Sequence, residues 1–200
     1  MASARRAVNL GAILLVGGRS ARMGGGTKPL VEVGGRSLFA RAVEAVSDAG
    51  CAPIIAAGPV LDEHAPVRWV REEPSFTGPV AGIAAAMGEV PADGAEWMLL
   101  LAGDLARPHQ VVERLRGAAG AADAVVLRAD GHPQWLAGMY RTDALRAALD
   151  ALGGAVSDAS CRALLGGLEI TWLTDEDGIT ADIDTPADLA RIRAELEEES

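Results

Sequence analysis

The chain has 200 residues, of which half are apolar and 23% are charged. This composition excludes an intrinsically disordered chain, and the presence of only two cysteines excludes a disulfide scaffold. The formal net charge of −10 argues against non-specific binding of nucleic acid, because that binding needs an extended basic surface.

The basic residues are unevenly distributed along the chain. The first 31 residues hold five cations and no acidic residue, whereas the remaining 169 hold 13 cations and 28 acids. Such a local positive patch on an acidic protein indicates a small anionic ligand. Apolar runs stay short of the roughly 20 residues that span a bilayer, and the first strand lacks a signal-peptide cleavage site. We therefore expect one domain over residues 1–200, located in the cytoplasm and without a membrane or nucleic-acid partner.

Apolar runs and capped amphipathic segments alternate along the sequence. In chain order they predict strand 8–16, helix 37–48, strands 52–57 and 67–70, helix 79–87, strand 96–102, helix 108–118, strands 122–127 and 134–140, helices 142–152 and 157–165, strand 169–173 and helix 186–198 with Thr185 as its cap. This alternation indicates an α/β fold with a mainly parallel sheet covered on both faces. Ligands of such folds bind at the carboxyl ends of the strands.

A glycine-rich loop, residues 17–28, follows the first predicted strand. Glycines lack a Cβ and let backbone N–H groups converge on phosphate oxygens. Arg22 and Lys28 add positive charge to the loop. The spacing differs from a Walker A loop, because Pro29 follows the lysine, and from the Gly-x-Gly-x-x-Gly dinucleotide fingerprint.

The segment from Leu15 to Leu30 reads Leu-x-Gly-Gly-x-x-x-Arg-Met-Gly-Gly-x-x-Lys-x-Leu and resembles the signature of the MobA-like nucleotidyltransferases. Further similarities follow in the family's order along nearly the whole chain: the Gly-Pro turn at Gly78, the strand that ends at Asp104, His132-Pro133, and the Asp-Ile-Asp-Thr-Pro segment from Asp182. The resemblance implies a three-layer Rossmann-like nucleotidyltransferase fold.

The resemblance is closest to molybdenum cofactor guanylyltransferase. It implies transfer of GMP from GTP to the phosphate of a (molybdo)pterin, with Mg²⁺ as cofactor and release of pyrophosphate. It also implies partners among the proteins of molybdenum cofactor biosynthesis or a molybdoenzyme. Because the attacking phosphate is already an anion, this chemistry needs cations on the triphosphate and carboxylates on Mg²⁺ rather than a strong general base.

The predicted site residues follow from that chemistry and from the matched motifs. Arg22, Lys28 and Asp104 are the predicted catalytic residues; Asp104 and Asp184 are the predicted Mg²⁺ ligands; His132 and Asp182 are predicted to contact the acceptor. The predicted nucleotide-binding residues are Leu15, Val16, Gly17, Gly18, Arg22, Gly24, Lys28, Glu73, Gly78 and Asp104. By resemblance, backbone groups of Leu15, Val16 and Gly17 read the base.

The chain departs from the family pattern at four positions. These are Val16 for alanine, Thr27 and Glu73 for aspartate, and Ala106 for proline. Two alternatives stay open, and the departures at Thr27 and Ala106 keep the second of them open. One is a cytidylyltransferase or an enzyme acting on another phosphorylated acceptor. The other is a non-catalytic GTP-binding accessory protein of cofactor delivery.

Overall fold

A computed structural model describes residues 8–17, 27–73, 77–181 and 186–198 of the chain. Its strands are β1 Leu10–Leu15, β2 Glu32–Val33, β3 Arg36–Ser37, β4 Ile54–Ala57, β5 Arg68–Val70, β6 Trp97–Ala102, β7 Ala124–Ala129, β8 His132–Arg141 and β9 Ile170–Thr174. Its helices are α1 Leu38–Asp48, α2 Pro79–Gly88, α3 Pro108–Gly117, α4 Thr142–Ala151, α5 Cys161–Leu165 and α6 Pro186–Glu198, and a 3₁₀ helix covers Lys28–Leu30. Within these ranges, no helix is long and apolar enough to cross a membrane.

The central sheet has seven strands in the order β5-β4-β1-β6-β8-β7-β9. All pairings are parallel except those of β8, which runs antiparallel to β6 and β7. The amino end of β8 therefore lies at the edge of the sheet where the parallel strands end. The predicted α/β fold class with a mainly parallel sheet is confirmed.

Two apolar layers cover the two faces of the sheet. Alternate residues of β1 point to opposite sides: Leu14 belongs to the layer with α1 and α3, and Ile13 to the layer with α2, α4 and α5. Both side chains are completely buried. Burial on both faces explains why β1 and β6 read as continuous apolar runs in the sequence.

The structure differs from the sequence predictions at a hairpin and at the start of a helix. The hairpin of β2 and β3 was not predicted, and it turns through Gly34 and Gly35, which both have positive φ angles. The predicted helix at 157–165 is wrong over its first four residues, because the helix begins at Cys161 and Ser160 caps the N–H of Ala163. The two cysteines are free thiols, of which Cys51 is buried and Cys161 half-buried.

Asp175 organises the turn that follows β9. Its buried carboxylate accepts hydrogen bonds from the backbone N–H of Ile179 at 3.0 Å and of Thr180 at 2.8 Å, and from the Thr180 hydroxyl. Burial alone would raise the pKa of Asp175. The hydrogen bonds from Thr180 and Ile179, aided by the charge of Arg114, outweigh burial and lower the pKa below its ordinary value.

We expect Asp175→Ala to lower the free energy of unfolding by about 2 kcal/mol at neutral pH, because two buried N–H groups lose their acceptor. A carboxyl with a lowered folded-state pKa stabilises the protein above its unfolded-state pKa of about 3.9 and loses that effect at lower pH. Urea unfolding of both proteins between pH 3 and 7 measures the difference. A difference that stays constant down to about pH 3 would contradict this role for the carboxylate.

Candidate active site

A cleft of about 380 Å³ opens at the carboxyl ends of β1 and β6. It is lined by Leu15, Val16, Gly17, Thr27, Lys28, Pro29, Pro59, Pro79, Ala102, Asp104 and Leu136. Five of the predicted site residues therefore meet in one concavity, which is where ligands bind in folds of this type.

Lys28 and Asp104 face each other in the cleft. The Lys28 Nζ atom lies 3.9 Å from the Asp104 Oδ2 atom, and the two side chains are 17% and 27% exposed. Lys28 is the first residue of a 3₁₀ helix, and the adjacent Pro29 is buried. Asp104 follows β6 by two residues. A partly exposed pair at this separation adds little to stability. The arrangement instead presents one cation and one carboxylate to the same ligand space.

Backbone contacts form the floor of the cleft. The N–H of Val16 donates to Ala57 O at 3.0 Å, and the N–H of Gly103 donates to Leu15 O at 2.9 Å. The Val16 N–H is therefore used within the sheet and is not available to bind a base. The Val16 side chain is buried, so replacing the family's alanine with valine adds no exposed side chain to the cleft.

Glycines allow the close approach of three chain segments at this floor. A Cβ on Gly103 would lie 2.5 Å from the Val16 Cγ1 atom. A Cβ on Gly58, whose φ is +142°, would lie 2.7 Å from the Gly17 nitrogen. The turns after β4 and β6 therefore hold the end of β1 from both sides.

Helix α6 joins the two segments that carry the charged pair. Ile192 of α6 packs with Val33 of the hairpin after Lys28 and with Ala106 of the turn after Asp104. Arg107, in the same turn, donates a hydrogen bond of 2.8 Å to Glu195 of α6. Ala106, which stands where the family has proline, is buried in this small cluster.

The structure separates the other predicted residues into three groups. Gly78, with φ +98°, is the N-cap of α2, and the next residue, Pro79, lines the cleft. Glu73 and His132 are exposed and are not among the lining residues, so their proposed contacts stay predictions. Gly18, Arg22, Gly24, Asp182 and Asp184 lie outside the described residues.

The carboxylate of Asp104 fits one position in a Mg²⁺ coordination shell. Mg²⁺ is usually held by one or two protein carboxylates together with water and substrate phosphates. A single carboxylate that faces the cleft can therefore supply one of the protein ligands of such a site. Among the described residues, no group of three or more metal-ligating side chains occurs. The second predicted ligand, Asp184, lies outside those residues.

Sequence reasoning missed several residues of the cleft. Pro59 and Leu136 line it, and Gly58 shapes it, although none carries a charge or a recognisable phosphate-binding pattern. The dipeptide Gly58-Pro59 follows β4, and from the sequence it indicates only a turn. Leu136 comes from β8, whose antiparallel direction is not readable from its own residues.

A larger depression of about 780 Å³ lies between α4 and α5. Alanine, leucine and glycine line most of it, with Asp123 and Asp143 as its charged residues. The lining, which falls wholly within the described residues, contains no lysine or arginine, so it does not suit a polyanionic substrate. The smaller cleft with Lys28 and Asp104 is the candidate active site.

Residues 12–171 match the MobA-like NTP transferase domain family. The chain belongs to this family. Molybdenum cofactor guanylyltransferase of Rhodopseudomonas palustris strain BisB5 is 37% identical over 54% of this chain and 54% of its own length. A probable molybdenum cofactor guanylyltransferase of Mycobacterium avium strain 104 is 31% identical over 91% of this chain and 94% of its own length. The chain matches only about half the length of the first of these two relatives.

Solved structures share the fold of this MobA-like chain. Molybdopterin-guanine dinucleotide biosynthesis protein A of Archaeoglobus fulgidus has a TM-score of 0.68 at 21% identity and covers 94% of this chain and 98% of its own. 2-C-methyl-D-erythritol 4-phosphate cytidylyltransferase of Thermus thermophilus has a TM-score of 0.70 at 18% identity, covering 95% and 100%. A Mycobacterium tuberculosis protein in complex with manganese has a TM-score of 0.64 at 18% identity, covering 94% and 100%.

We expect Gly103→Ala to lower the free energy of unfolding by about 2 kcal/mol, because the added methyl group meets the Val16 Cγ1 atom. The double variant Val16→Ala/Gly103→Ala should lose less than the sum of the two single variants, since Val16→Ala removes that contact. Urea unfolding of all four proteins measures the coupling. Additive losses would contradict the packing described for the floor.

Proposed function

We propose that this MobA-like chain transfers GMP from GTP to the phosphate of a molybdopterin-class acceptor. The observation that carries the proposal is the pairing of Lys28 with Asp104 across the cleft at the carboxyl ends of β1 and β6. Relatives named molybdenum cofactor guanylyltransferase support GTP and a molybdopterin as the substrates. The fold alone does not choose the base, because a cytidylyltransferase shares it.

The proposed reaction is an in-line displacement at the α-phosphorus of GTP. An oxygen of the acceptor phosphate forms the new bond to the α-phosphorus. The bond from that phosphorus to the oxygen bridging to the β-phosphorus breaks, and its electron pair leaves with pyrophosphate. The attacking oxygen carries no proton that must be removed. The protein's task is therefore to bring two polyanions together and to stabilise their charge.

The predicted site residues divide the work of this reaction among them. Lys28 binds the triphosphate as a compact cation, aided by Arg22 and the backbone N–H groups of Gly17, Gly18 and Gly24. Asp104 would hold Mg²⁺, with Asp184 as the second proposed ligand, and the ion would neutralise charge on the phosphates. The manganese complex of a protein with the same fold supports a divalent ion. Backbone groups near Leu15 and Gly78 contact the base, and Glu73 contacts the ribose.

The acceptor lies on the other side of β6 in this proposal. Because β1 and β8 flank β6, a nucleotide held over β1 leaves the space over β8 for the second substrate. His132 and Asp182 are proposed to contact the acceptor there. We also propose that the protein acts in the cytoplasm beside other proteins of molybdenum cofactor biosynthesis or a molybdoenzyme.

A substrate panel tests the reaction. Pyrophosphate release is measured with each of GTP, CTP, ATP and UTP against molybdopterin and against sugar and alditol phosphates, with Mg²⁺ present or removed by a chelator. We expect release with GTP and molybdopterin and loss of release without the metal. Activity only with CTP or only with another acceptor would replace the proposed substrates, and GTP binding without release from any acceptor would favour the accessory protein.

We expect Lys28→Ala and Asp104→Ala each to lower turnover by at least about 10²-fold, because the first removes a cation that binds the triphosphate and the second removes the proposed Mg²⁺ ligand. Lys28→Arg should retain little of the turnover, because the planar guanidinium group of arginine differs in shape from the compact ammonium group of lysine. Arg68→Ala is the control, because it removes an exposed cation paired with Glu89 on the strand β5 at the edge of the sheet. Near wild-type turnover of the Lys28→Ala or Asp104→Ala variant, with folding checked by circular dichroism, would contradict the mechanism.

A further inference from the structure

Strand β8 contains a bulge at the rim of the cleft. Gly138 pairs with Val126 of β7, but the next residue of β7, Leu127, pairs with Gln134. Residues 135–137 are therefore extra on the β8 side of the ladder. On the other edge of β8, the pairing with β6 ends at Ala137 opposite Leu101. The bulge thus lies where β8 enters the sheet, at the edge that carries the site.

A buried tyrosine closes this bulge. The hydroxyl of Tyr140, whose side chain is completely buried, donates to the carbonyl of Trp135 at 2.8 Å. Gly138 makes the contact possible, since a Cβ there would lie 2.7 Å from the Tyr140 hydroxyl oxygen. Burial, with the nearby Cys161 thiol as a second cause, raises the pKa of Tyr140 well above its ordinary value, so the hydroxyl keeps its proton and remains a donor.

The bulge presents one apolar side chain to the cleft, and a second packs in a neighbouring aromatic pair. Leu136 lines the cleft together with Pro79 and Asp104. Trp135 is half-buried and packs edge-on against Trp172, with ring centroids 5.7 Å apart and an interplanar angle of 68°. Arg128 lies over the Trp172 ring at 4.2 Å from its centroid. The contribution of β8 to the lining is therefore the apolar side chain of Leu136, whereas the β1 side offers Lys28 and backbone groups.

We propose that the bulge at residues 135–137 selects the second substrate, and that Tyr140 is the positioning residue that sets its shape. In this proposal Leu136 contacts the flat face of the acceptor's ring system, while the acceptor phosphate points toward Lys28 and the Mg²⁺ proposed at Asp104. This inference rests on the proposed function for the identity of the acceptor. Tyr140 itself is buried and acts only through the Trp135 carbonyl.

Two variants and one matched control test the proposal. Tyr140→Phe removes the hydroxyl and keeps the ring, and Leu136→Ala changes the wall without touching the hydrogen bond. Thr142→Val is the control, because the buried Thr142 hydroxyl also donates to a backbone carbonyl, that of Ala95 at 2.6 Å, but beyond the opposite end of β8. Each protein is studied by amide hydrogen exchange, with and without molybdopterin, and by kinetics with GTP and molybdopterin.

We expect Tyr140→Phe to speed amide exchange at residues 135–138 by about fivefold or more, the effect of losing one net hydrogen bond. The KM for molybdopterin should rise by about fivefold or more while the KM for GTP stays within about twofold. Leu136→Ala should raise the molybdopterin KM with unchanged exchange. Molybdopterin should protect residues 135–138 in the wild-type protein, and Thr142→Val should change none of these values.

The proposal is overturned by wild-type exchange and wild-type KM values in Tyr140→Phe, or by equal rises in both KM values, which a general loss of structure would produce. The proposed function fails separately, when the wild-type protein releases no pyrophosphate. In that case the exchange data decide the inference: protection of the bulge by molybdopterin supports it, and no protection overturns it.

Discussion

The parallel pairing of β1 with β6 places the two halves of the candidate site side by side. Six residues of each strand are in register, from Leu10 opposite Trp97 to Leu15 opposite Ala102. Because both strands end at the same level, the loop toward Lys28 and the turn with Asp104 leave the sheet next to each other. A shift of one residue in this register would exchange side chains between the two apolar layers and move the ends of the two strands, and with them the charged pair, out of alignment.

Beyond the sheet, the site depends on segments that are distant in the chain. Helix α6 packs on both the hairpin after Lys28 and the turn after Asp104, so the last described helix braces two early elements of the cleft. Across the cleft, the bulge of β8 forms an apolar wall. The two sides of the cleft thus differ in chemistry: charge and backbone groups on the side of β1, and apolar surface on the side of β8.

The sequence allowed the strands and the charged residues to be predicted, because apolar runs and glycine-rich turns are local signals. β1 and β6 are buried on both faces, so each is a continuous apolar run that is easy to recognise in the sequence. The hairpin of β2 and β3 was missed since two-residue strands have too few positions to show alternation. The start of α5 was misplaced because serine is a common helix cap and serines stand at both 157 and 160. Only Ser160 caps the helix. The N–H of Asp158 instead donates to Thr77 O, a contact with a segment distant in sequence.

The side of the cleft formed by Leu136 could not be predicted, because it depends on contacts between segments that are distant in sequence. Leu136 reaches the site only because β8 runs antiparallel and bulges, and both properties depend on pairing with strands far away in sequence. Gly58 and Gly103 are needed because three backbone segments meet at the floor of the cleft. A glycine beside a strand end indicates a turn, but the neighbour that excludes a Cβ becomes visible only in three dimensions.

The position of Lys28 has a practical consequence for chemical work on this protein. It is the single lysine of the chain, and its side chain lies in the cleft with 17% of its surface exposed. Acylation, reductive methylation and amine coupling to a solid support all react with lysine ε-amines. In this protein the one ε-amine that such reagents can modify is the cation of the candidate active site, so biotinylation or immobilisation should use an introduced exposed cysteine or an affinity tag.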